Sequence, residues 1–119
     1  MLGGENIYPV EIEDRLLRHT SIRDSSVVSI ADDRLGEVVG AFLQLNGSSG
    51  TKRPSDDEIR TWVAVMLGSH KAPKHIFWLG DSDTVEDFPK TGSGKHQKHI
   101  LSALGLKILK GRQATKARL

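Results

Sequence analysis

Ser26-Val27-Val28-Ser29-Ile30-Ala31-Asp32-Asp33-Arg34-Leu35-Gly36-Glu37-Val38-Val39-Gly40-Ala41-Phe42-Leu43-Gln44-Leu45 is the stretch on which the fold turns. Two runs rich in Val, Ile and Phe, Ser26 to Ile30 and Glu37 to Leu45, flank the polar Asp32-Asp33-Arg34 and Gly36. That pattern predicts two strands joined by a turn. Gly40, inside the second run, is expected to mark a bulge or a close backbone contact. Downstream, Asn46 to Pro54 reads as a surface loop that connects without carrying chemistry. Ser55 followed three residues later by Glu58 is a capping box, and Ile59, Trp62, Val63, Met66 and Leu67 recur at helical spacing until Gly68. Trp62 and Met66 are expected in the core of that helix face. Residues 75–79 form a short apolar strand behind the rigid lead-in Lys71-Ala72-Pro73-Lys74. Upstream, Pro9 suits a first helical turn, Glu11, Glu13 and Asp14 favour the positive helix start, and Ile12, Leu16 and Leu17 supply an apolar edge to about His19. At the other end Ile100, Leu101, Leu104 and Ile108 share one helical face, which Gly105 weakens. The order helix, strand, strand, helix, strand, helix predicts a small α+β domain, a three-stranded sheet flanked by helices.

Composition sets the outer bounds. A chain of 119 residues is one domain with one modest core. It has no cysteine, so disulfides, a thiolate nucleophile and a cysteine zinc site are excluded. No apolar run approaches a membrane span and no signal-peptide core opens the chain, which predicts a soluble intracellular protein. All 15 acidic residues lie at or before Asp87, whereas 8 of the 17 Lys and Arg residues follow Pro89. An acidic body with a basic tail is compatible with a phosphate-rich ligand, with nucleic acid or with a solvated terminal helix. Aromatic residues make up 5% of the chain and none lies in the basic segment, so the stacking platform of a single-strand nucleic-acid binder is missing.

Chemistry concentrates in Phe88-Pro89-Lys90-Thr91-Gly92-Ser93-Gly94-Lys95. Pro89 stiffens the entry, and Gly92 and Gly94 permit positive φ and close backbone approach, so Thr91 to Gly94 can form a small anion-attracting loop beside Lys95. A Walker-type loop is excluded, because it would need glycine at 89 and Ser or Thr at 96, where the chain has Pro89 and His96. His96 and His99 stand three apart as a metal pair would. No third ligand at suitable spacing accompanies them, so they are expected to be solvated surface histidines, and no metal site is assigned.

Two motifs at opposite ends of the chain, Gly3-Gly4-Glu5-Asn6-Ile7-Tyr8-Pro9-Val10-Glu11-Ile12-Glu13 and Pro89-Lys90-Thr91-Gly92-Ser93-Gly94-Lys95, together resemble the C-terminal domain of AMP-forming acyl-CoA synthetases, in the adenylate-forming superfamily. Leu35-Gly36-Glu37-Val38-Val39-Gly40-Ala41-Phe42 and Lys71-Ala72-Pro73-Lys74 resemble that domain in order and spacing. The resemblance covers about residues 3–104 of a single 1–119 domain, with 105–119 as a basic tail. It implies that a larger N-terminal adenylation domain binds ATP, its Mg2+ and the carboxylic acid, while the small domain rotates between two half-reactions. Lys95 would then serve acyl-AMP formation by charge stabilisation and positioning, with Thr91, Gly92, Ser93 and Gly94 as its phosphate loop. Gly3, Gly4, Glu5, Asn6 and Tyr8 would line the passage of the CoA pantetheine to the acyl-adenylate.

Family members carry their hinge a few residues before the Gly-Gly pair, so hinge and adenylation domain are expected to be absent here and the isolated chain to be inactive in adenylation. The acyl pocket belongs to the larger domain, so fatty, aromatic and specialised secondary-metabolite acids are all compatible. The other compatible reading is a non-catalytic module, truncated or standalone, that retains the fold. Ala117-Arg118-Leu119 resembles a C-terminal peroxisomal address read by an import receptor. Peroxisomal localisation is the expectation, with the cytoplasm as the alternative.

Overall fold

In a computed structural model, residues 8–47 and 52–117 are described. Helix α1 (Pro9–Leu17) leads into strand β1 (Ile22–Asp32), which turns back through strand β2 (Gly36–Leu45). Helix α2 (Asp56–Leu67) and a 3-10 turn (Ser69–Lys71) cross to strand β3 (His75–Trp78), and helix α3 (Lys98–Ala117) follows. The sheet order is β1-β2-β3, with β1 antiparallel and β3 parallel to β2. This is the α+β arrangement of three strands flanked by helices that the hydrophobic pattern predicts.

Side chains alternate across a strand, so each strand feeds two cores. Val27, Val39, Ala41, Leu43, Ile76 and Trp78 face one side and are covered by Ile12 and Leu16 of α1 and Ile59 and Val63 of α2. Val28, Ile30, Val38, Phe42 and Phe77 face the other, where Leu101 and Ile108 of α3 close over them together with Phe88. Phe42 and Phe77 stack with centroids 4.6 Å apart, an arrangement worth about 0.5–1.5 kcal/mol beyond burial.

The helix boundaries follow their chemistry. The Ser55 side chain accepts from the Glu58 N–H at 3.1 Å, and α2 stops at Gly68, whose φ of +97° few other residues adopt. β1 begins four residues before the expected Ser26, because Ile22 is buried and pairs with Leu45 even though polar residues intervene. Its irregular register lies between Ile22 and Asp24, so the bulge is there and not at Gly40. Gly40 is instead a close contact: a Cβ there would stand 2.7 Å from Ile30 Cγ1. Gly105 has the same cause, since a Cβ on it would meet Ile30 Cδ1 at 2.6 Å. What looked like a weak point in the last helix is a place where α3 lies tightly against the sheet.

Three expected core positions are corrected. Met66 is 65% exposed, Leu17 is 43% exposed, and Trp62 is only half-buried. Beside Met66, α1 presents Glu11, Asp14 and Arg15, with Arg18 just past its end, so no apolar side chain of α1 lines the groove there to cover it. Trp62 packs sideways onto α1: the Arg15 guanidinium lies 3.7 Å over its ring, and each residue donates to the other's carbonyl at 2.8 Å.

Candidate functional site: the Lys95 hairpin

Phe88 is buried in the core beneath α3, and from it the chain rises into a short hairpin closed by an antiparallel bridge between Lys90 and His96. The Gly94 N–H donates to the Thr91 carbonyl and the Thr91 N–H to the Lys95 carbonyl, both at 2.9 Å. Gly94 has φ +87°, which makes this a tight turn followed by a left-handed glycine. Gly92 does not use the positive-φ freedom expected of it. Thr91 Oγ1 accepts the Lys95 N–H at 3.2 Å and lies 3.0 Å from Ser93 Oγ. The amides of Thr91, Gly94 and Lys95 are therefore used inside the turn, so an anion at the tip would meet chiefly the amides of Gly92 and Ser93 and the lysine itself.

Residues 91–95 are all exposed. Lys71, Lys74 and Lys98 pair with Glu11, Asp32 and Glu13, whereas Lys95 makes no ion pair among the described residues. Its ammonium stands on a rigid turn with no internal carboxylate to neutralise it. Such a group can attract and orient an anion brought to it from outside the domain.

The base of the hairpin is tied to the sheet. His96 is 17% exposed at its side chain, stacks on Phe88 with centroids 4.3 Å and planes 16° apart, and places Nε2 3.2 Å from Asp24 Oδ2. This corrects the expectation of a solvated histidine. His99 is exposed as expected, and no group of three His, Asp or Glu side chains suited to a metal occurs among the described residues. Two residues after His96, Lys98 donates to Glu13 Oε2 at 2.6 Å and to the Val27 carbonyl at 2.8 Å, while the same Glu13 oxygen accepts the Val27 N–H at 2.7 Å. Lys98 and Glu13 thus satisfy the outer edge of β1 and join α1, β1 and α3 at one point.

Of the other predicted site residues, Tyr8 is 62% exposed and immediately precedes α1, its carbonyl accepting the Glu11 N–H at 3.2 Å. Gly3, Gly4, Glu5 and Asn6 lie outside the described residues, as do Arg118 and Leu119, and Ala117 is the last residue of α3. No hydrogen bond or ion pair joins Tyr8 to the hairpin among the described residues. Asp24 and Lys98 gave no signal in the sequence, and Glu13 only that of a helix-start acid, because the pairings of His96 with Asp24 and of Lys98 with Glu13 and Val27 span 71 to 85 residues. The one local signal was the hairpin spacing, which sets His96 across from Lys90.

Residues 11–95 match the model of the AMP-binding enzyme C-terminal domain, a span that ends on the hairpin lysine. The chain belongs to this family. An acyl-CoA ligase of Penicillium expansum is 52% identical over 90% of the chain, which spans 22% of that protein. The crystal structure of Brucella canis acyl-CoA synthetase superposes with a TM-score of 0.75 at 29% identity, covering 89% of the chain and 18% of the enzyme. The o-succinylbenzoate CoA synthetase of Bacillus subtilis, solved in complex with its acyl-adenylate intermediate, gives a TM-score of 0.71 at 31% identity over 85% of the chain and 19% of that protein. The chain thus spans about a fifth of the length of the relatives it matches.

Proposed function

We propose that this domain completes the active site of an ATP-dependent carboxylic acid:CoA ligase. In the first half-reaction a carboxylate oxygen attacks the α-phosphorus of ATP and pyrophosphate leaves. In the second, the CoA thiol attacks the acyl carbonyl and AMP leaves. Lys95 acts in the first. The observation that carries this reading is the exposed, unpaired Lys95 on a pre-formed turn at the end of the family match. Two anionic reactants repel each other, and a fixed cation between them lowers the cost of bringing them together and stabilises the charge that develops on the phosphate.

ATP and the acid are bound by the adenylation domain, which this chain needs as its partner. With no cluster of three His, Asp or Glu among the described residues, Mg2+ would arrive with ATP and be held by its phosphates and by that domain. The Gly3 to Tyr8 segment serves the second half-reaction, in which pantetheine passes to the acyl-adenylate.

In the complete ligase, Lys95→Ala should lower acid-dependent pyrophosphate exchange by about 100-fold, the scale of losing one oriented charge-stabilising group. Thioester formation from supplied acyl-AMP should persist. Equal loss of both steps, or undiminished exchange, overturns the assignment. The isolated chain should show no exchange at all.

A further inference from the structure

We infer that His96 and Asp24 are positioning residues for Lys95, a clamp that fixes the hairpin to the sheet so that the lysine meets the reacting groups in one orientation. The inference rests on the role given to Lys95 above and extends it to residues that the hairpin motif does not contain. Bonds within the turn fix its internal shape: Thr91 to Lys95, Gly94 to Thr91, and Gln97 N–H to the Pro89 carbonyl at 2.8 Å. None of these sets the angle at which the hairpin leaves the domain. Its ascending limb is anchored by Phe88 in the core. Its descending limb, beginning at the residue after Lys95, is anchored by His96.

The His96 ring is held on two sides. One face lies on Phe88, nearly parallel at 4.3 Å, and its edge reaches Asp24 through Nε2. Asp24 is itself fixed: Oδ1 accepts the Ser25 N–H at 2.8 Å and leaves Oδ2 for His96. It stands where β1 changes register against β2, and such irregularities re-aim a side chain out of the regular strand pattern. A residue near the start of β1, 72 positions away in sequence, is thereby turned onto the base of the hairpin. Electrostatic catalysis needs its groups held to within about 0.5 Å, and a displacement of 1 Å can cost about 100-fold. With His96 released, the descending limb would be held only from Lys98 onward, and the exposed lysine would lack that definition.

The test measures both half-reactions in the complete ligase, for His96→Ala, Asp24→Ala, Asp24→Asn, Lys95→Ala and the double variant Lys95→Ala/His96→Ala. His96→Ala and Asp24→Ala should each slow acyl-AMP formation about tenfold at saturating substrates, a partial loss of positioning. Thioester formation from supplied acyl-AMP should stay within about twofold of wild type, since the second half-reaction does not use the hairpin. Asp24→Asn, which can still accept from the Ser25 N–H and bond to the imidazole, should recover most of the first step. In the Lys95→Ala background His96→Ala should cost nothing more, because a residue that acts through Lys95 has nothing left to position.

The inference is overturned if His96→Ala and Asp24→Ala leave adenylation unchanged, if His96→Ala slows the Lys95→Ala enzyme as much as the wild type, or if both half-reactions fall together, which marks a purely structural role. Undiminished adenylation in Lys95→Ala would refute the function assigned to the lysine. Impaired Lys95→Ala with unaffected His96 and Asp24 variants would refute the clamp alone.

Discussion

Gly105→Ala is the substitution whose effect the packing specifies most closely. In an exposed helix, replacing glycine by alanine stabilises by about 1 kcal/mol. Here the added methyl would stand 2.6 Å from Ile30 Cδ1 and 3.3 Å from Phe77 Cε2, both on fully buried side chains. Overpacking of that kind costs about 1–3 kcal/mol, so the net change should be a loss of up to about 2 kcal/mol. Ile30→Val removes the δ-methyl that clashes and by itself costs about 1 kcal/mol. In that background Gly105→Ala should be close to neutral, a coupling between the two sites of about 1–2 kcal/mol. Gly40→Ala supplies the control. Its methyl would meet Ile30 Cγ1 at 2.7 Å, a γ-carbon position that valine keeps, so Ile30→Val should rescue it far less. Urea unfolding at 25 °C, followed by the fluorescence of Trp62 and Trp78, reads each variant. With a slope of about 1–3 kcal/mol per molar, a coupling of 1 kcal/mol moves the midpoint by roughly 0.3–1 M. Additivity of the 30 and 105 substitutions, or equal rescue of Gly40→Ala, would refute the packing argument.

Two further outcomes follow from the polar contacts. Lys98→Met should destabilise by about 1–3 kcal/mol, because the Val27 carbonyl loses its donor and the Glu13 carboxylate, whose side chain is 16% exposed, loses its cation and keeps only the Val27 N–H. Adding Glu13→Gln should recover part of that loss by removing the uncompensated charge, and strict additivity in urea unfolding would contradict the network. His75 is held below its ordinary value of 6.5, first by burial and then by the positive charge of Lys74. As the pH falls below 6.5 the unfolded chain takes up this proton before the folded one does. Stability should therefore decline from pH 6.5 down to the folded value of His75, and then level off for this group. His75→Gln should flatten that part of the profile; parallel wild-type and variant curves from pH 7.5 to 5 would rule the contribution out.

Element types and their order were legible in the chain because they rest on local chemistry. Ser55 and Gly68 bound α2, Pro9 opens α1, and the Val-rich runs on either side of Asp32 and Gly36 pair as strands, each for reasons that lie within a few residues. The lysine hairpin was legible for the same reason, since proline and glycine restrict the backbone wherever they stand. Met66 shows the limit of periodicity. The helical spacing correctly places Ile59 and Val63 inward, but whether Met66 is covered depends on the side chains that α1 sets opposite it, and those are polar.

Long-range pairing was decided elsewhere. Gly105 reads as a defect in a helix until Ile30 of β1 is seen filling the space it leaves. His96 reads as one more surface histidine until the fold carries Asp24 to its edge and Phe88 beneath its face. Residue type and near-neighbour spacing set which backbone conformations are cheap, so they specified the turn that presents Lys95. The direction in which that turn points depends on contacts between residues 72 positions apart, and those exist only once the sheet has brought β1 and the start of α3 together.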